Sequence, residues 1–108
     1  MKKILTILLL ISINLYSLTK DEENFLYASE IGDINKVKEL LALGVNINIQ
    51  NEEGETALMW ALQYANVQLV RELIKSGANV NIKDKYGNTA LDYAKDEGHN
   101  DIVELLSK

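Results

Sequence analysis

The chain has 108 residues, of which 47% are hydrophobic and 25% are charged, so it can form one small folded domain rather than remain disordered. It has no cysteine, which excludes disulfides, zinc–thiolate sites and thiol chemistry, and its single histidine cannot by itself supply a histidine metal cluster. With 11 Lys and Arg against 16 Asp and Glu, the net charge is −5, and no basic stripe points to a nucleic-acid partner.

The first 17 residues, MKKILTILLLISINLYS, have the three-part pattern of a secretory signal peptide. Two lysines precede an apolar run at residues 4–13, and Ser17 is a small residue for cleavage although Leu15 is not. The run is shorter than the roughly 20 residues that span a bilayer. We therefore expect a periplasmic or secreted protein without stable membrane insertion after cleavage. The alternatives are a buried helix and an uncleaved segment that anchors the protein to a membrane.

The sequence after the predicted signal peptide starts with a helix signal. Thr19 followed by Glu22 predicts a capping box, in which each side chain satisfies a backbone N–H at the helix start. Asp21 and Glu23 add negative charge at the positive end of the helix dipole. The fold is therefore expected to begin just past residue 17. Without residues 1–17 the chain has 9 Lys and Arg against 16 acids, a net charge of about −7.

The rest of the chain repeats at an offset of 33 residues. The stretch GVNINIQNEEGETALMWA at 44–61 returns as GANVNIKDKYGNTALDYA at 77–94, and the same offset relates residues 28–48 to 61–81. Such a fixed period is the signature of a repeat protein. The last unit has Asp92, Lys95 and Ser107 where the middle unit is apolar, as expected of a terminal repeat that faces solvent.

Each unit is predicted to contain two short helices and an extended finger. In the middle unit, Thr56 caps a first helix whose apolar face has Leu58, Ala61 and Leu62. The apolar face of the second helix consists of Val67, Val70, Leu73 and Ile74. Gly77 ends that helix in the left-handed conformation. Val80 and Ile82 then alternate with asparagines before a turn at 84–87.

These residues resemble the ankyrin repeat. The resemblance rests on Gly54-Glu55-Thr56-Ala57-Leu58, Gly77-Ala78-Asn79-Val80-Asn81 and Gly87-Asn88-Thr89-Ala90-Leu91. It implies an all-α fold, an ankyrin-repeat solenoid of about three helix-turn-helix units with β-hairpin fingers. The units would be a first capping repeat at 18–50, a full repeat at 51–83 and a last capping repeat at 84–108.

The sequence offers no set of residues for catalysis. His99 is the only histidine, and its place in Gly98-His99-Asn100-Asp101 matches the loop between helices, where it would tie down backbone groups. The turn at 87–89 is no phosphate loop, and the aspartates lack the spacing of a calcium loop. We therefore expect a protein that is not an enzyme and that has no cofactor or metal.

The family resemblance implies that protein partners bind across the finger tips and the exposed side of the first helices. The residues that we predict to bind a partner are Glu52, Glu53, Glu55, Tyr64, Lys83, Lys85, Tyr86 and Asn88. Further positions that match the same surface are Glu22, Glu30, Ile31, Gln50, Gln63, Asp96 and Glu97. Tyr27, Trp60 and Tyr93 share one repeat position and are interpreted as packing between stacked first helices.

Two functions are compatible with this surface. The first is an exported, monomeric module that binds an envelope or secreted protein with a basic patch, for example as an inhibitor or protective factor. It is favoured by three glutamates on one finger with tyrosines nearby. The alternative is a membrane-tethered or self-associating structural spacer, and a solvated finger tip with no partner is the plain interpretation of the charge run.

Overall fold

A computed structural model describes residues 18–107, and the predicted signal peptide lies outside this range. Residues 18–107 form six α-helices and no β-strand. The helices are α1 (Lys20–Ile31), α2 (Ile34–Ala42), α3 (Ala57–Gln63), α4 (Val67–Lys75), α5 (Ala90–Asp96) and α6 (Asn100–Leu106). Two of them fall in each predicted unit. Within the same range, no helix combines the length and the apolar character needed to cross a membrane.

The first helix of each unit starts at a threonine. The hydroxyls of Thr19, Thr56 and Thr89 accept hydrogen bonds from backbone N–H groups in the first turns of α1, α3 and α5. In α1 and α5 the bond is reciprocal, because Glu22 and Asp92 accept from the backbone N–H of the capping threonine. The predicted start of the first helix at Thr19 is therefore confirmed, and Glu22 belongs to its cap.

The second helices are capped by residues that also share one repeat position. Asp33 and Asn66 accept backbone N–H bonds from α2 and α4 at 3.1 Å. His99 stands at the equivalent place before α6 but makes no side-chain capping bond, and its buried Nε2 has no partner among residues 18–107. The prediction that His99 ties down backbone groups therefore applies to its own backbone and not to its imidazole. The His99 backbone N–H donates to the Ala94 carbonyl oxygen at 3.0 Å, and its carbonyl oxygen accepts from the Val103 N–H at 2.8 Å.

The core lies between stacked first helices and the second helices that cover them. Helix α1 packs on α3 and α3 on α5, while each first helix also packs on its own second helix. Ala28, Ala61 and Ala94 share one repeat position and are at most 2% exposed, so small side chains let successive first helices come close. In α4 the predicted residues Val70 and Leu73 are fully buried.

The apolar face of α4 is wider than the sequence indicated. Leu69 was not among its predicted residues, yet it is 0% exposed. Val67 and Ile74, which were predicted, are only partly buried against the core. The buried stripe is therefore centred on Leu69, Val70 and Leu73, which lie within one helical turn of each other.

The segments between units are turns rather than the β-hairpins expected from the resemblance. The Asn79 side-chain oxygen accepts from the Asn81 backbone N–H at 2.9 Å, so the backbone bends where the alternation of Val80 with asparagines suggested an extended strand. Asn46 and Asn48 form the same bond in the preceding unit. The Asn48 side chain also accepts the Asn79 N–H at 2.8 Å, which ties one unit to the next.

Two leucine substitutions test where the core lies. Leu62 is 0% exposed and Leu43 is 67% exposed. We expect Leu62→Ala to lower the free energy of unfolding by about 2–5 kcal/mol, because it removes buried contacts and leaves a cavity. Leu43→Ala should change it by less than about 0.5 kcal/mol. Urea unfolding followed by circular dichroism measures both, and equal losses would contradict the packing described.

Candidate functional site

Two polar turns, finger 1 (residues 51–55) and finger 2 (residues 84–88), lie side by side between the units. The Lys85 backbone N–H donates to the Glu53 carbonyl oxygen at 2.9 Å, which joins the two fingers directly. Gly54 makes this approach possible: its φ is +76°, and an added Cβ would lie 2.9 Å from the Lys85 nitrogen. Since side chains on adjacent fingers are neighbours, their charges must be considered together.

Each finger is closed by the side chain of its first residue. Asn51 accepts from the backbone N–H groups of Glu53 and Glu55, both at 2.9 Å. Asp84, at the same repeat position, accepts in the same way from Tyr86 and Asn88 at 2.9 Å. A short polar side chain at this position therefore shapes each finger, whether it is an amide or a carboxylate.

Asp84 differs from Asn51 because its second oxygen accepts a hydrogen bond from the Tyr93 hydroxyl. Burial by itself would raise the pKa of Asp84, but the hydrogen bonds from Tyr93 and from the backbone of finger 2 outweigh it and lower the pKa. Burial and the same bond to Asp84 raise the pKa of Tyr93 to about 12. Finger 2 is thus anchored on α5 by a carboxylate whose ionised form the fold favours.

The three glutamates of finger 1 have different surroundings. Glu53 pairs with Lys85 of finger 2. Glu55 accepts hydrogen bonds from Asn51 and Gln63, both at 3.2 Å. Glu52 is exposed and makes no ion pair or hydrogen bond with residues 18–107. Only Glu53 is paired with a cation, whereas Glu55 is hydrogen-bonded to neutral amides and Glu52 has no partner among residues 18–107, so two of the three negative charges remain uncompensated.

The Lys85 side chain links the charged and aromatic parts of the fingers. Its hydrogen bond to Glu53 raises the pKa of Lys85, and its ammonium lies 5.1 Å from the centroid of the Tyr86 ring. Tyr86 remains 69% exposed. Lys83 is also exposed, whereas Asn88 is half-buried in the turn. That these residues bind a partner stays a prediction.

The position shared by three aromatic residues does not have one role. Tyr93 is half-buried against the core, as expected. Trp60 is half-buried and stacks on Tyr64, with 5.9 Å between ring centroids and 10° between ring planes. Tyr27 is 61% exposed, so its interpretation as a residue packed between first helices is wrong. Tyr27 lies on the terminal first helix, where residues 18–107 provide no preceding unit to cover it.

A groove of about 230 Å³ opens between α1 and α3, and we call it the α1–α3 groove. It is lined by Leu18, Glu23, Leu26, Tyr27, Glu30, Asn51 and Trp60. Only Glu30 of these was among the positions matched to the binding surface. Two patterns in the sequence could have indicated the other groove residues. Residues 23, 27 and 30 lie on one face of a helix, and residues 27 and 60 share a repeat position, which makes them neighbours in a stacked repeat.

The geometry defines a class of protein, a short helical repeat solenoid whose first helices and fingers form a polar and aromatic surface. Residues 18–107 contain no group of three or more His, Asp or Glu side chains that could hold a metal ion. The family model described as ankyrin repeats (3 copies) matches residues 25–108. The chain therefore belongs to the ankyrin-repeat family, whose members are generally non-catalytic protein-interaction modules. A comparison with curated proteins gives no match.

Asp84 gives the protein a pH-dependent element of stability. Because its pKa is lower in the folded state than its ordinary value near 3.8, the unfolded chain takes up the proton first as pH falls. The stability contributed by ionised Asp84 is fully present when the pH is above the ordinary pKa, and it is lost as the pH falls through the pKa of the folded state. Asp84→Asn keeps the turn bonds, as Asn51 shows, and removes the titration.

We expect the wild type to lose more stability than Asp84→Asn between pH 5 and the acid limit of folding, as measured by urea unfolding at each pH. At neutral pH, Asp84→Ala should lose about 1–3 kcal/mol because it leaves buried polar groups unpaired. Identical acid profiles for wild type and Asp84→Asn would contradict the assigned role.

Proposed function

We propose that this protein is an exported interaction module that binds an envelope or secreted protein partner through its fingers and first helices. Membership of the ankyrin-repeat family supports a protein partner. The observation that carries the proposal is the exposure of Tyr64 and Tyr86, at 58% and 69%, together with the exposed carboxylate of Glu52 on finger 1. Rigid, exposed tyrosines are typical of protein-binding sites, and an unpaired surface charge can steer a partner of opposite charge.

The charge balance supports a partner with a basic patch. Residues 18–107 have 16 acidic residues against 8 Lys and Arg, since three of the 11 basic residues lie outside that range. A partner of opposite charge would associate faster, and the complex would weaken as salt increases. Inhibition or protection of that partner is the role we propose for the complex, and the module acts as a monomer.

Export is supported by the signal-peptide pattern of residues 1–17. The alternative, a membrane-tethered spacer, keeps this segment. The mass of the protein recovered from the source cell separates them: a loss of about 17 residues favours an exported module, and the full mass favours the tethered form.

Affinity capture tests the interaction surface, using the full chain as bait and an envelope extract of the source cell. We expect Glu52→Lys to weaken binding of the captured partner by about 3–10-fold, because it reverses a charge that faces a basic surface. Tyr86→Ala should weaken it by more than about tenfold if the ring is buried in the complex. Glu53 and Glu55 are left unchanged because Glu53 joins the two fingers through Lys85 and Glu55 links finger 1 to α3 through Gln63.

Glu104→Lys is the matched control, since it makes the same change of charge at an exposed position on α6, away from the fingers. Its binding should stay within about twofold of the wild type. A partner that binds Glu52→Lys, Tyr86→Ala and wild type equally would show that the fingers are not the binding surface. Capture of no partner by any bait would contradict the proposed function.

A further inference from the structure

The α1–α3 groove places two aromatic side chains beside two carboxylates. Tyr27 and Trp60 line it together with Glu23 and Glu30, and no Lys or Arg of residues 18–107 lines it. We propose that this groove binds an arginine side chain of the protein partner. The proposal rests on the interaction function above and names the chemistry of the side chain that the partner would insert.

The aromatic part of the groove is accessible and held in place. Tyr27 is 61% exposed, which is a large apolar area to leave in water on an ordered helix. Trp60 is supported from outside the groove by Tyr64, on which it stacks with nearly parallel planes. An aromatic ring attracts a cation placed over its face, and a guanidinium also stacks on the ring as a plane.

The carboxylates of the groove are not neutralised by the described part of the chain. Glu23 and Glu30 make no ion pair with residues 18–107. In contrast, Glu39, Glu53, Glu72 and Asp101 each pair with a lysine or arginine. Residues 23, 27 and 30 lie on one face of α1, with Glu23 about one turn before Tyr27 and Glu30 about one turn after it. A cation over that ring could therefore pair with both.

The size and floor of the groove favour one side chain over a larger ligand. Its volume, about 230 Å³, is below the range of about 300–1,000 Å³ that holds drug-sized molecules. Leu18 and the buried Leu26 provide apolar contacts for the methylene stem of a long side chain. Arginine fits better than lysine, because its planar fork can stack on an aromatic ring while its N–H groups reach two carboxylates.

The chain contains a single tryptophan, so the fluorescence of Trp60 reports on this groove directly. The full chain is titrated with the peptide acetyl-Gly-Arg-Gly-amide and with the same peptide carrying uncharged citrulline. We expect a saturable change in Trp60 fluorescence, with the arginine peptide binding about tenfold more tightly than the citrulline peptide. Amide and indole NMR shifts measured in the same titration should map to α1 and α3.

Glu23→Gln with Glu30→Gln should weaken arginine-peptide binding by about tenfold, since it removes both charges at nearly constant shape. Glu104→Gln, at an exposed position on α6 that does not line the groove, is the matched control and should leave this binding unchanged. Tyr27→Leu provides an independent variant and should also weaken binding, with Trp60 still available as probe. Equal binding of the two peptides, or unchanged binding by the double variant and by Tyr27→Leu, would overturn the proposal.

The same variants distinguish a failure of the groove proposal from a failure of the proposed interaction function. A captured partner that binds the Glu23→Gln, Glu30→Gln bait as tightly as wild type would refute the groove proposal and leave the interaction function intact. An arginine peptide that binds as expected, with no partner captured by any bait, would support the groove and refute the interaction function.

Discussion

The close stacking of first helices is the constraint on which the rest of the molecule depends. Each first helix has an alanine at the same repeat position, and Ala28, Ala61 and Ala94 are almost completely buried. The small side chain allows α1, α3 and α5 to pack in sequence, and their leucines are covered by the second helices. No single unit could bury these surfaces by itself, since its neighbours provide the other side of the core.

The same stacking forms the candidate surface. Because consecutive units are related by one repeat, residues at equivalent positions become neighbours: Tyr27 lies beside Trp60 in the α1–α3 groove, and Glu53 lies beside Tyr86 on the fingers. The groove and the joined fingers are therefore each composed of side chains from two units. The free charges of the candidate surface are the ones left over when the pairs between units, such as Glu53 with Lys85, have formed.

Much of the fold was predictable from the sequence because its signals are local. Thr19, Thr56 and Thr89 start helices by accepting backbone N–H bonds within one turn, and glycine at 77 ends one. The turns at residues 46–48 and 79–81 were missed, because their asparagines bend the backbone where the alternation with apolar residues suggested strands. The groove and the pair of Glu53 with Lys85 were missed because side chains were considered within one unit, although the partners of Glu53 and Tyr27 come from the next unit.

If the units depend on one another, residues 18–107 should unfold as one cooperative body. Trp60 reports on the middle unit, whereas far-ultraviolet circular dichroism reports on all six helices described. Urea unfolding of the full chain, followed by both signals in one sample, is the most direct test. We expect the two transitions to coincide in midpoint and slope. A helical signal that falls in a separate step before Trp60 changes would show that the terminal units unfold independently, and it would contradict a binding surface that requires all units to be stacked.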